Sequence, residues 1–182
     1  LQNKNIVGSH INNYDSMLVL SHFKGHKMGG FGGALKNMSI GVASSNGKAW
    51  IHSVGRTTSP AELWNYTEDQ DGFLESMAEA DKAVVEHFGY DNMAYINVAN
   101  KISIDCDCDS NPSEPEMADI GIYASLDPVA LDKCCHDAII NSKDEGKASL
   151  IKRMEEKNAI HIVEIAEELG IGTTDYEIIN ID

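Results

Sequence analysis

A short apolar run, Met17-Leu-Val-Leu20, breaks at once into Ser21-His-Phe-Lys-Gly-His26 and then into Gly29, Gly30, Gly32 and Gly33. This junction constrains the fold more than any other stretch. The apolar run reads as a buried strand. The polar residues then sit at its carboxyl edge, where open α/β sheets place their ligands. Ala34-Leu-Lys-Asn-Met-Ser-Ile40 reads as the start of a helix. Residues 21–53 are therefore expected to form a glycine-rich His/Lys loop that holds a ligand or cofactor.

The rest of the chain alternates in the same way. Phe73, Met77, Ala80, Val84 and Phe88 recur at helical spacing, and Gly89 supplies a stop. Residues 94–98 and 120–123 read as strands. Asp127-Pro128 opens a helix running to about residue 141, with Asp as cap and Pro in the first turn. Residues 149–157 and 160–169 read as further helices, and residues 176–181 as a last strand. Residues 44–60, the Asp69-Gln-Asp-Gly72 turn and residues 106–117 read as loops. The expectation is one α/β domain over residues 1–182, a layered fold with a central, mainly parallel sheet flanked by helices.

Composition narrows the function classes. The net charge of −15 argues against nonspecific nucleic-acid or anionic-membrane binding, which needs basic surface. No apolar run approaches the ~20 residues that cross a bilayer. Leu1-Gln-Asn-Lys-Asn5 lacks the apolar centre of a signal peptide. A start without an initiator Met carries the expectation of a processed or truncated piece of something longer. Four cysteines are too few for a secreted disulfide scaffold, which points to the reducing cytoplasm.

The glycines at 29, 30, 32 and 33 let backbone amides approach a bound group. A helix beginning near Gly33 would turn free N–H groups and positive dipole toward an anion. Lys24, Lys27 and Lys36 add positive charge. The loop matches neither the P-loop nor the Rossmann glycine pattern. A flexible turn with solvated lysines is the alternative, but the interleaved histidines favour a site. His22, Lys24 and His26 share one face of an extended chain. These features nominate His22, Lys24, His26 and Lys36 as catalytic. Gly29, Gly30, Gly32, Gly33, Lys36 and Asn37 are the candidates for cofactor binding, and a small anionic molecule is the expected ligand.

Cys106-Asp-Cys-Asp109 is the second candidate. Thiols at i and i+2 meet one metal if the chain is extended. Zinc or iron suits them, with His22, His26 or His52 completing a mixed site. A structural role and a redox dithiol are the alternatives. The aspartates and thiols would repel one another unless a cation sits among them. Cys134 and Cys135 are adjacent on a helix and point about 100° apart, so at least one belongs to the core. No iron–sulfur cluster motif is intact. Asp127 reads as a helix cap and Asp132 as a first-turn acid, with a place lining the ligand crevice as the alternative for either.

Four motifs in order, Ser21-His-Phe-Lys-Gly-His26, Gly30-Phe-Gly-Gly-Ala-Leu-Lys-Asn37, Cys106-Asp-Cys108 and Asp119-Ile-Gly121 with Ser125-Leu-Asp-Pro-Val-Ala-Leu-Asp132, resemble domain of unknown function 362. Its members are often labelled Fe–S center proteins. The resemblance implies the C-terminal part of such a protein, or a shortened member; a homo-oligomer or an upstream domain completing the site is the partner expectation. A more distant resemblance is to nickel-pincer lactate racemase, carried by His26, Lys36 and His52 at spacings of 10 and 16. It implies His26 as acid/base, Lys36 as cofactor anchor and His52 as a metal ligand; Cys106 and Cys108 are metal candidates from their own spacing. Zinc, iron and nickel all stay open as the metal. A metal-binding redox module and a noncatalytic partner subunit are the other functional readings.

Overall fold

The structure is a computed structural model that describes residues 3–181. Three strands form its main sheet: β1 (Met17–His22), β4 (Met93–Ala99) and β5 (Gly121–Ser125), in the order β1-β4-β5. Two further strands, β2 (Lys24–His26) and β3 (Gly30–Gly32), make a small antiparallel hairpin. The helices are α1 (Ala34–Lys36), α2 (Ser45–His52), α3 (Gln70–Phe88), α4 (Pro128–Asn141), α5 (Ala148–Glu156) and α6 (His161–Glu168). α1 widens directly into a π-type turn over Asn37–Gly41.

The α/β class is as expected, but the sheet is mixed. β1 and β4 run parallel, while β4 and β5 run antiparallel. The reason lies in the connections. The chain from β1 to β4 passes through α1, α2 and α3, a crossover that permits parallel pairing. Residues 100–120 contain no helix to cross the sheet, so the chain turns back antiparallel.

Alternation divides the sheet into two unlike faces. Val19, Ser21, Met93, Tyr95, Asn97 and Ala99 point into the core. α4 packs on β4 and β5, α6 packs on α3 and α4, and α1 wedges between β1, β4 and those helices. On the other face Leu18 and Leu20 are each 59% exposed and Ile122 is 71% exposed. Helices thus cover one face of the sheet among the described residues, and the layering is one-sided.

Several element boundaries differ from the sequence reading, each for a physical reason. β1 extends through Ser21 and His22, so two expected loop residues are strand residues. The expected loop at 44–60 begins with α2. There the Ser44 side chain accepts the Gly47 amide as an N-cap, and Ala49 and Ile51 are buried. Burial outweighs the poor helix propensity of Ser, Asn and Gly. The turn at 69–72 is the start of α3, because Asp69 accepts the Gly72 amide. Residues 176–181 form no strand. Ile178, Ile179 and Ile181 are exposed, and Tyr176 Oη donates to Asp137. Cys134 and Cys135 are both buried in α4.

Candidate metal and anion site

The Cys loop lies directly on the His/Lys hairpin. Gly25 of β2 donates its amide to the Ser103 carbonyl at 2.8 Å. A Cβ at Gly25 would stand 2.1 Å from the Ile104 carbonyl oxygen, so only glycine permits this approach. From this attachment the loop presents acids and thiols alternately, Asp105, Cys106, Asp107, Cys108 and Asp109.

Each acid meets a cation. Asp107 receives His22 Nδ1 and Lys24 Nζ, both at 3.0 Å. Lys27 pairs with Asp109, and Arg153 of α5 lies 3.6 Å from Asp105. The repulsion anticipated among these acids is thus met by the protein's own cations. Burial opposes ionisation of Asp107, but the hydrogen bonds from His22 and Lys24 prevail and hold its carboxyl below the ordinary value. Asp109 is held low by the Lys27 hydrogen bond, and Asp105 by hydrogen bonds from Ser113.

Between these paired acids the thiols meet His26. One ring nitrogen of His26 and the sulfurs of Cys106 and Cys108 lie within 4.8 Å of one another. The Lys36 ammonium stands 3.9 Å from the Cys106 sulfur. Burial is the main force lowering the His26 pKa to about 3, aided by the charges of Lys36 and His52, so the ring is neutral at physiological pH. Its Nδ1 accepts the amides of Met28 and Gly29 at 3.2 and 2.9 Å, leaving Nε2 for a further partner. Burial also raises the Cys108 thiol above its ordinary value, and the neighbouring Cys106 adds to the shift.

The other sequence candidates take different places. His22 has both nitrogens engaged, Nδ1 by Asp107 and Nε2 by the Asn100 carbonyl at 2.7 Å. Lys24 also donates to the His22 carbonyl at 2.9 Å. Both act as clamps on the Cys loop. Asn37 ties α1 to β1 through the Leu20 carbonyl and Ser21 Oγ, both at 3.0 Å. His52 lies outside the His26/Cys106/Cys108 group. Its Nδ1 meets the Lys48 carbonyl at 2.7 Å and its ring stacks on Phe73. Burial is the main force lowering its pKa, opposed by the Lys48 carbonyl hydrogen bond and aided by the Lys36 charge.

The start of α1 is filled from within. Asp132 of α4 accepts the Ala34 amide at 2.8 Å and the Leu35 amide at 3.0 Å, and Asn97 Nδ2 at 2.7 Å. A Cβ at Gly33 would fall 2.3 Å from that carboxylate. Gly33 therefore admits an internal anion, which corrects the expectation that these amides are free for a ligand. Gly30 and Gly32 form β3, and the Gly29 amide is spent on His26.

Arg153 and Asp105 are participants that the sequence reading missed. Arg153 is one basic residue on an amphipathic helix, and no motif distinguishes it. Asp105 sits just before the Cys pair and was passed over for the aspartates within it.

Fold and site together define an α/β domain with a mixed His/Cys cluster at the end of a sheet strand. The chain belongs to the family described as Domain of unknown function (DUF362), whose sequence profile matches residues 2–137. Neither a search of curated proteins nor one of solved structures finds a match. No helix among the described residues is long and apolar enough to cross a membrane.

Proposed function

We propose that this chain is a metal-binding domain in which His26, Cys106 and Cys108 hold one thiophilic divalent ion, with a small anion as the further ligand. The convergence of those three donor groups within 4.8 Å carries the reading. Two sulfurs and one imidazole suit zinc best, and iron or nickel next. Three protein ligands are the number found in catalytic zinc sites, which keep a fourth position for water or substrate. The ion would supply a Lewis acid. Lys36, beside Cys106, would meet the charge of a bound anion. Asp107 and Asp109, clamped by Lys24, His22 and Lys27, position the thiols, as outer partners orient ligands in metal sites generally.

Elemental analysis of chain purified without a chelating column tests the proposal. About one equivalent of zinc, iron or nickel is expected in the native chain. Cys106→Ser and Cys108→Ser should each lose most of it. Metal content unchanged in both variants would reject the site.

A second reading keeps the racemase-like assignment, with His26 as acid/base, Lys36 as cofactor anchor and His52 as metal ligand. One observation favours it. His52 holds its Nδ1 on a backbone carbonyl, the arrangement that leaves Nε2 a free lone pair. In both readings the His26 proton must move from Nε2 to Nδ1, at the expense of the Met28 and Gly29 hydrogen bonds, before Nε2 can act as base or ligand. His52→Gln separates the readings: it should spare metal binding under the first and abolish it under the second.

A further inference from the structure

The two thiols of the site are also placed to react with each other. Their sulfurs lie 2.7 Å apart. The Cys108 amide points at the Cys106 sulfur at 3.3 Å, which curls the loop around it. The clamps on Asp105, Asp107 and Asp109 hold the backbone on both sides and between the pair. Cys108 is exposed, whereas Cys134 and Cys135 are buried in α4. The loop therefore brings an accessible thiol against a second one, while the remaining two thiols are buried.

We propose that Cys106 and Cys108 form a reversible disulfide by exchange with a low-molecular-weight disulfide, and that this bond and the metal compete for the same two sulfurs. The competition rests on the metal reading above; the exchange itself does not.

The steps balance. Cys108 gives up its proton and its sulfur attacks one sulfur of the small disulfide. That S–S bond breaks, and one thiol leaves with the proton. The Cys106 sulfur then attacks the Cys108 sulfur in the mixed disulfide, and the second thiol leaves with the Cys106 proton. Two protein thiols are oxidised, and one small disulfide is reduced to two thiols. The oxidised pair has no thiolate to offer a metal.

The test uses the whole chain, stripped of metal with a chelator and incubated with oxidised glutathione. Unfolding, alkylation and trypsin digestion then separate the thiols. Cys106 and Cys108 fall in the peptide 102–133, between Lys101 and Lys133, and Cys134 and Cys135 fall in the next. The expected product is a 102–133 peptide without alkylation and lighter by two hydrogens, beside a neighbour alkylated at both cysteines. Dithiothreitol should restore the reduced form, and Cys106→Ser should trap glutathione on Cys108. Zinc uptake should fall at least about tenfold in the oxidised chain. A 102–133 peptide that stays alkylated at both cysteines, or carries glutathione on both, overturns the exchange. Equal zinc uptake by both forms overturns the competition. A disulfide that forms in a chain taking up no zinc even when reduced supports the exchange and rejects the metal reading.

Discussion

His26 holds the most information at the scale of single residues. Its Nδ1 lone pair is committed to the Met28 and Gly29 amides. Ligation through Nε2 requires the ring proton to sit on Nδ1, where it would oppose those amides. Metal addition is therefore expected to break both hydrogen bonds, seen as faster hydrogen exchange at Met28 and Gly29. If both amides stay protected while metal binds, His26 is a donor beside the thiolates and the ion has another third ligand. The raised Cys108 thiol gives metal binding a pH dependence of definite sign. The proton must leave, so apparent affinity should rise with pH toward the thiol range.

Asp81 shows a different residue-scale effect. It is fully buried in α3, and neither carboxylate oxygen has a hydrogen-bond partner among the described residues. Burial, with the charge of Asp132 adding, raises its pKa well above the ordinary value. A raised native pKa gives stability that is fully present below the unfolded value of about 3.9 and is lost as pH rises through the native one. Asp81→Leu should raise stability at pH 7 by about 1–3 kcal/mol, the scale of removing an unsatisfied buried polar group. The gain should shrink toward pH 4 in thermal melts taken across that range.

At the scale of elements, two contacts connect the site to the fold. Asp132 joins α4, α1 and β4 through three hydrogen bonds. Burial pushes its pKa up to about 6, against the pull of those donors. Asp132→Ala leaves two buried amides unpaired and should cost about 2–4 kcal/mol in denaturant unfolding. Gly25 joins β2 to the loop that carries the thiols. Gly25→Ala should displace residues 103–104, cost about 1–3 kcal/mol and weaken metal binding. Asp107→Ala, which frees the loop between the thiols, should leave the fold intact and lower zinc affinity about 10–100-fold by competition with a chelating dye.

Much of this scale was legible in the sequence. The periodicity of residues 73–88 and the Asp127-Pro128 cap mark α3 and α4 because both signals are local, and Asp127 does accept the Val129 and Ala130 amides. The Cys-x-Cys alternation and the histidines around the glycine loop point to the two loops that meet. Which histidine joins the thiols was not legible. That choice depends on a hairpin turn over Met28 and Gly29 and on the close approach of Gly25 to Ile104, which are tertiary facts. For the same reason the contact of His22 with the Cys loop was not legible. Asp107, the partner of His22, is 85 residues away.

For the whole molecule, the helices lie on one face of a three-stranded mixed sheet, and the site lies where β1 leads into the β2–β3 hairpin. Chain direction at β5 was not legible, since it follows from a connection without a helix. In a chain of net charge −15, the site gathers Lys24, Lys27, Lys36 and Arg153 with three aspartates. Metal binding should also stabilise the whole fold, by about 2.7 kcal/mol when free ion exceeds its Kd 100-fold. The most direct test of the metal centre is X-ray absorption at the zinc edge of the zinc-loaded, reduced chain. Two sulfurs at about 2.3 Å with one imidazole nitrogen at about 2.0–2.1 Å are expected. A shell of nitrogen and oxygen alone, without sulfur, would contradict the assignment of Cys106 and Cys108 as ligands.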